Sequence, residues 1–332
     1  MLRFTTTPAT PAAVLALAAL VGAGPAAAAS GRLTLYTSQP QQDAQQTVDA
    51  FRKAVPGLEV DWIRDGTTQV LAKLRAEFAA GQPKPDLLLI ADVVTMQGLK
   101  RDGRLLAHPA APVAGYDEKL YDPDMTYFGT KLITTGIVYN TRAAMKPQSW
   151  ADLAKPEAKG QVSMPSPLTS GAALIHVAML TSQPGLGWGY FEALAKNGAI
   201  AQGGNGNVLK DVAGGQRLYG MLVEFMALRE KAKGAPIDFV FPQDGVSSVT
   251  EPVAILKTAA NPAGARAFVD FLLSKEGQEL AARQGYMPMH PAVQPPAGFP
   301  KLADIRLLPL DAAGALANEE ANKKHFEALF AR

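Results

Sequence analysis

The sequence predicts an α/β protein built from two units, on three observations. Strand and helix patterns alternate over the first hundred residues, a second set fills the middle, and strand and helix return near the end. Such alternation builds sheets covered by helices. Leu33-Thr34-Leu35-Tyr36-Thr37 alternates as a strand. Ser38-Gln39-Pro40 then leads into a helix whose apolar residues Ala44, Val48, Phe51 and Val55 recur at spacings of four, three and four, the helical period. Pro40 suits a helix start. Leu58 to Ile63 is a second strand, and Asp65-Gly66-Thr67-Thr68 opens a second helix with Val70, Leu71, Leu74 and Phe78 on one face. Asp86 to Ile90 is a continuous apolar run, as expected of a strand buried on both faces.

The second unit begins with a long strand from Leu132 to Tyr139, followed by a short helix at Trp150 to Leu153 and a strand end at Val162 to Pro165. Thr169-Ser170-Gly171 opens an alanine-rich helix through Leu180. Helical segments follow around Trp188 to Ala195 and Val208 to Val212. Strands are expected at Leu218 to Phe225 and Asp238 to Val240. The end returns to a strand from Val249 to Leu256, whose Pro252 places it at a sheet edge or a bend. Pro262 starts a helix bearing Ala267, Phe268, Phe271 and Leu272. Ser274 caps the next one through Arg283, and a last helix covers Glu319 to Phe330.

The N-terminus carries Arg3, an apolar stretch from Ala12 to Gly24 and the small residues Ala26 to Ala29. Charge, apolar core and small-residue cleavage region, in that order, make a secretory signal peptide over residues 1–29. The stretch is shorter than the roughly 20 residues a bilayer span needs. With no cysteine at the cleavage region, no lipid anchor is expected. The 332 residues contain no cysteine at all, which removes thiol catalysis and cysteine-held metal. The net charge of +2 gives no field that would draw nucleic acid.

One arrangement recurs. A strand ends, hydroxyl residues follow and a helix begins, at Thr37-Ser38, at Thr67-Thr68 and at Thr169-Ser170-Gly171. Helix starts carry unpaired N–H groups and partial positive charge, so hydroxyl-bearing starts suit an anion. In open α/β sheets such loops lie at the carboxyl ends of strands, where ligands bind. Each also reads as an ordinary helix cap, for which Ser and Thr are favoured. Glu224 interrupts the apolar stretch Met221 to Met226. Buried there, it needs a partner, either a ligand amine or hydroxyl or an internal cation such as Arg217; a solvent-facing strand position is the equal alternative. Asp92 follows a strand and is either a site residue or a helix start. Asn205 reads as a turn or cap that can also reach a ligand.

No catalytic constellation is present. His108, His176, His290 and His325 have no metal-ligand spacing, no Gly-x-Ser-x-Gly elbow occurs, and Gly203-Gly204-Asn205-Gly206 lacks the Lys-Ser/Thr of a P-loop. Leu35-Tyr36-Thr37-Ser38, Thr135 to Thr141, Pro165 to Gly171, Pro242-Gln243-Asp244-Gly245 and Ala259 through Gln278 together resemble the periplasmic solute-binding proteins of bacterial ABC importers. The branch resembled is that of ferric-ion, 2-aminoethylphosphonate and hexose-phosphate binders.

The resemblance implies a type II periplasmic-binding-protein fold: two lobes, each a mixed sheet flanked by helices, joined by hinge strands and closing on a ligand. Lobe one would take residues 31–130 and 249–332, and lobe two residues 131–248. It implies a non-enzymatic, monomeric periplasmic protein that needs no cofactor and hands a small anionic solute to a membrane permease. Ferric binders of the branch use adjacent tyrosines where this chain reads Val223-Glu224-Phe225. Phosphonate and phosphate-ester binders hold the anion at positions matching Ser38, Thr67 or Thr68, and Thr169 with Ser170, and Glu224 would hold the ligand's other end. The expected site is therefore Thr37, Ser38, Thr67, Thr68, Asp92, Thr169, Ser170, Gly171, Asn205 and Glu224, with a ferric carrier or an exported hydrolase as the rival readings.

Overall fold

The computed structural model describes residues 1, 2 and 30–331. The signal peptide expected over residues 1–29 lies outside them, its first two residues apart. The first elements are β1 (Gly31–Thr37), α1 (Gln41–Ala54), β2 (Leu58–Arg64), α2 (Thr67–Ala79), β3 (Leu87–Leu89), α3 (Val93–Arg101), β4 (Leu105–Leu106) and β5 (Tyr127–Gly129). Next come β6 (Lys131–Asn140), β7 (Val162–Met164), α4 (Gly171–Thr181), α5 (Gly187–Lys196), β8 (Ile200–Ala201), α6 (Asn205–Ala213), β9 (Tyr219–Val223), α7 (Glu224–Ala232) and β10 (Ile237–Val240). The last are β11 (Ser247–Val249), β12 (Pro252–Leu256), α8 (Pro262–Leu273), α9 (Lys275–Arg283), β13 (Met287–Pro288), α10 (Ala312–Ala317) and α11 (Glu319–Phe330).

The strands form two mixed sheets. The first runs β2-β1-β3-β12-β4, with β5 also on β12. β1 is parallel to β2 and β3, and β12 is antiparallel to its neighbours. The second runs β10-β6-β9-β7-β8, with β11 and β13 also on β6.

Burial explains the sequence patterns of the first sheet. Leu33, Leu35, Leu87, Leu89, Val253 and Ile255 face a core with Val48, Phe51 and Phe268. Tyr36, Leu88, Ile90, Ala254 and Leu256 face the opposite core with Val70, Leu71, Leu74 and Met96. The apolar run Leu87 to Ile90 is thus a strand buried on both faces, because helices cover both sides of its sheet. In the second sheet, every residue of the ten-residue β6 is buried.

Two expectations are corrected. The strand read from Val249 to Leu256 is broken at Thr250-Glu251 into β11 and β12, which belong to different sheets. Pro252 is the first residue of β12 and marks that bend. β12 is no edge strand, since β3 lies on one side and β4 and β5 on the other. Proline is tolerated at a strand's first residue. The strand read from Leu218 to Phe225 ends at Val223, and Glu224 is the first residue of α7.

Two short segments cross directly from strand to strand between the sheets, Thr130 between β5 and β6 and Thr250-Glu251 between β11 and β12, and the chain crosses again between α9 and β13, which pairs with β6. The tail touches both lobes. α10 packs on α3, with Leu316 over Gly98. α11 packs on α4 and α5 through Phe326 against Phe191 and through a stacked His325–Trp188 pair with ring centres 4.1 Å apart.

Candidate functional site

A cavity of about 490 Å³ lies between the two sheets. Four helices begin on its wall. Gln41 opens α1, Thr67 opens α2, Ser170 caps α4 and Asn205 opens α6, and all four line the space. Two of these helices follow strands of the first sheet and two belong to the second. Each offers first-turn N–H groups and the positive end of its dipole.

The hydroxyl residues are held by local hydrogen bonds. Ser38 lines the cavity, and its Oγ accepts from the Ala91 N–H at 3.0 Å. Ser170 Oγ accepts from Ala173 N at 3.3 Å and from Asn205 Nδ2 at 3.2 Å, which joins the starts of α4 and α6. Thr169 donates from Oγ1 to the Gly203 carbonyl at 2.8 Å. The structure therefore brings Ser38, Thr67, Thr169, Ser170 and Asn205 together on one wall.

The other expected site residues stand elsewhere. Thr37 is fully buried, and its Oγ1 accepts from Gln39 N at 3.1 Å. Thr68 donates from Oγ1 to Pro167 O at 3.4 Å, across the cleft. Gly171 is an interlobe contact: a Cβ there would stand 2.6 Å from Ala91 O and 2.8 Å from Thr67 Cγ2. Asp92 is the cap of α3, accepting from Thr95 N at 3.0 Å and Thr95 Oγ1 at 2.5 Å. Burial lifts its carboxyl to about 6 despite those two bonds.

Glu224 does not line the cavity. It is buried and accepts from the Thr134 N–H at 2.6 Å. Burial pushes its carboxyl up to about 8, against the lowering effect of the Thr134 bond. Its neighbours Val223, Phe225 and Met226 line the cavity in its place. The internal partner offered by the sequence, Arg217, instead donates to the Gly160 carbonyl.

Sequence reasoning missed Arg64, the last residue of β2. Its Nε donates to Gln39 O at 2.7 Å, and the side chain lines the cavity. The signal was its position at a strand's carboxyl end. Two carboxylates also stand on the wall. Asp65 accepts from Gly66 N at 2.7 Å. Glu251 is buried and pairs with Lys131 Nζ at 2.6 Å. The wall thus offers donors and one exposed guanidinium to an anion, and carboxylate acceptors to hydroxyl or amine groups.

An ionic cluster lies beside this wall. Asp43 of α1 takes Arg229 of α7 in a two-pronged pair at 3.1 and 2.9 Å, and accepts from Tyr286 OH at 2.5 Å. The Arg229 guanidinium lies 4.6 Å from the centre of the Phe225 ring, and Lys131 Nζ lies 4.2 Å from that of Tyr286. Among the described residues, no group of three or more His, Asp or Glu is placed to hold a metal ion, and no helix is long and apolar enough to cross a membrane.

Comparison with known proteins places this geometry. The family of bacterial extracellular solute-binding proteins matches residues 82–316. A sulfate-binding protein of Synechocystis is 26% identical over 274 residues, covering 74% of this chain and 72% of its own. The periplasmic binding protein AfuA of Actinobacillus pleuropneumoniae, solved with fructose-6-phosphate, superposes with a TM-score of 0.83 at 24% identity, covering 90% of this chain and 98% of AfuA. Iron-bound HitA of Pseudomonas aeruginosa superposes with a TM-score of 0.78 at 22% identity, covering 89% and 99%. At these identities the superpositions show the type II periplasmic-binding-protein fold. With a family match over more than half its length, the chain belongs to the bacterial extracellular solute-binding proteins, the non-enzymatic capture components of ABC importers.

Proposed function

We propose that this chain captures a small organophosphorus anion, a phosphonate or a sugar phosphate, in the cavity between its lobes and presents it to a membrane permease. It does so in the periplasm, after removal of a signal peptide over residues 1–29. One observation carries the ligand class: four helix starts bearing Ser38, Thr67, Ser170 and Asn205 nearby, with Arg64 beside them, line one cavity. Helix starts with hydroxyl donors suit a tetrahedral oxyanion, and charge-assisted bonds to it are the stronger kind. Asp65 and Glu251 on the same wall suit the hydroxyl or amine groups of the organic part. The similar protein solved with fructose-6-phosphate supports the sugar-phosphate case, and the one named for sulfate supports a tetrahedral oxyanion more broadly. Phe225, on the wall next to Glu224, offers no phenolate oxygen to a ferric ion.

The test is a thermal-shift screen of the mature protein with fructose 6-phosphate, 2-aminoethylphosphonate, sulfate and ferric citrate. A ligand at a hundred times its Kd adds about 2.7 kcal/mol of stability. Stabilisation by the organophosphorus compounds alone, lost in Thr169→Ala/Ser170→Ala, is the expected result. Stabilisation by ferric citrate alone would replace this reading with a metal carrier.

A further inference from the structure

Of the segments that join the lobes, the two short ones between strands are laced together at Thr250-Glu251. Thr250 O accepts from Thr130 N at 3.0 Å and from Lys131 N at 3.3 Å. Glu251 O accepts from Thr130 Oγ1 at 2.8 Å. The Glu251 carboxylate takes Lys131 Nζ at 2.6 Å and Gln39 Nε2 at 3.3 Å, and the residue is 2% exposed. Glu251 thus has its carbonyl and its carboxylate tied to the other crossing segment, and the residue lines the ligand cavity.

The backbone of Glu251 is left-handed, with φ 37°. An L residue with a Cβ is strained there and glycine is not. Such a conformation persists only where the surroundings over-determine it, as the Lys131, Gln39 and Thr130 bonds do here. In the same structure the lobes are in contact across the cleft: Thr68 Oγ1 meets Pro167 O, and Gly66 leaves no room for a Cβ beside Thr169 O. Relative motion of the lobes must turn about the crossing segments, and hinges are the few residues that absorb the φ/ψ change. Thr250-Glu251 is where β11 has ended and β12 has not begun.

We propose that Glu251 is the conformational switch of the hinge, left-handed while the lobes are shut and relaxed to negative φ when they part. The strain opposes closure, and the bonds to Lys131, Gln39 and Thr130 offset it. Because Glu251 also lines the cavity, the hinge and the ligand space share one residue. This goes beyond the ligand class proposed above and does not depend on it.

The test compares Glu251→Gly with Glu251→Ala, both carrying Lys131→Met so that no unpaired ammonium stays buried. Both lose the carboxylate; only the alanine keeps the left-handed strain. The chain has no cysteine, so Ala76→Cys on α2 and Lys210→Cys on α6 take spin labels in opposite lobes without side reactions. Interlobe distances are read on ligand-free protein, which separates this result from any failure of the ligand assignment. The glycine variant should raise the ratio of shut to open molecules about fivefold or more over the alanine variant. Identical distance distributions in the two variants would overturn the proposal, since a role in stability alone predicts no difference between them.

Discussion

The carbonyl oxygen of Ala91 lies 2.6 Å from where a Cβ on Gly171 would stand, so backbone of one lobe meets backbone of the other. Gly171 is the first residue of α4 and is not among the residues with positive φ. Its own conformation does not demand glycine; the opposite lobe does. Gly171→Ala should leave the ligand-free melting temperature within about 2 °C of wild type, because alanine is at least as good in a helix. It should weaken capture about tenfold or more, because an overpacked contact costs about 1–3 kcal/mol in the shut state only. Calorimetric titration beside a melting curve checks both halves.

Arg64 is the guanidinium on the cavity wall, held at its Nε by Gln39 O and otherwise exposed. Exposure limits its contribution to about 1 kcal/mol. Arg64→Ala should therefore weaken binding of the stabilising anion about fivefold. It should also flatten the dependence of affinity on salt, since one screened charge has been removed. A variant with wild-type affinity and a wild-type dependence on salt would take Arg64 out of the site.

Glu224 sets a pH dependence. The folded carboxyl holds its proton to about pH 8, because burial disfavours the charged form, whereas its ordinary value is 4.5. The folded state thus binds the proton more tightly than the unfolded chain. The contribution to stability is whole below about pH 4.5 and is lost as pH rises towards 8. Glu224→Gln keeps an acceptor for the Thr134 N–H and cannot ionise. It should raise the melting temperature by roughly 4 °C or more at pH 9 and change it little at pH 5. Melting curves across that range read the sign directly.

Asp43 joins α1 of one lobe to α7 of the other through its two-pronged pair with Arg229. Asp43→Ala strands a largely buried guanidinium and removes the acceptor of Tyr286 OH. The loss is about 3 kcal/mol, a fall of roughly 5 °C in melting temperature for a chain of this size. Asp43→Leu/Arg229→Met should recover much of it, because removing both charges leaves none uncompensated. A single variant as stable as wild type would show the pair to be idle.

What the sequence disclosed follows from what its residues do. Leu87 to Ile90 announced a doubly covered strand because helices bury both of its faces. Ser38, Thr67, Thr169 and Ser170 could be picked out because hydroxyls recur where strands give way to helices, although the same residues serve as ordinary caps, as Ser170 does for α4. Glu224 was misread because the apolar run Met221 to Met226 continues through the junction of β9 and α7, so periodicity marks no boundary there. Pro252 offered a bend as one of two readings, but the left-handed residue of that bend was hidden because a glutamate, not a glycine, holds it. Arg64 carried no motif of its own, and only the convergence of β2 with α4 and α6 shows which space it faces.

The tail of the chain ties the two lobes into one fate. Leu316 rests on α3 while Phe326 completes the core around Phe191, so neither lobe can lose its packing without loosening the same terminal helices. Heat should therefore melt the molecule in a single calorimetric step, although it is built as two bodies about a cleft.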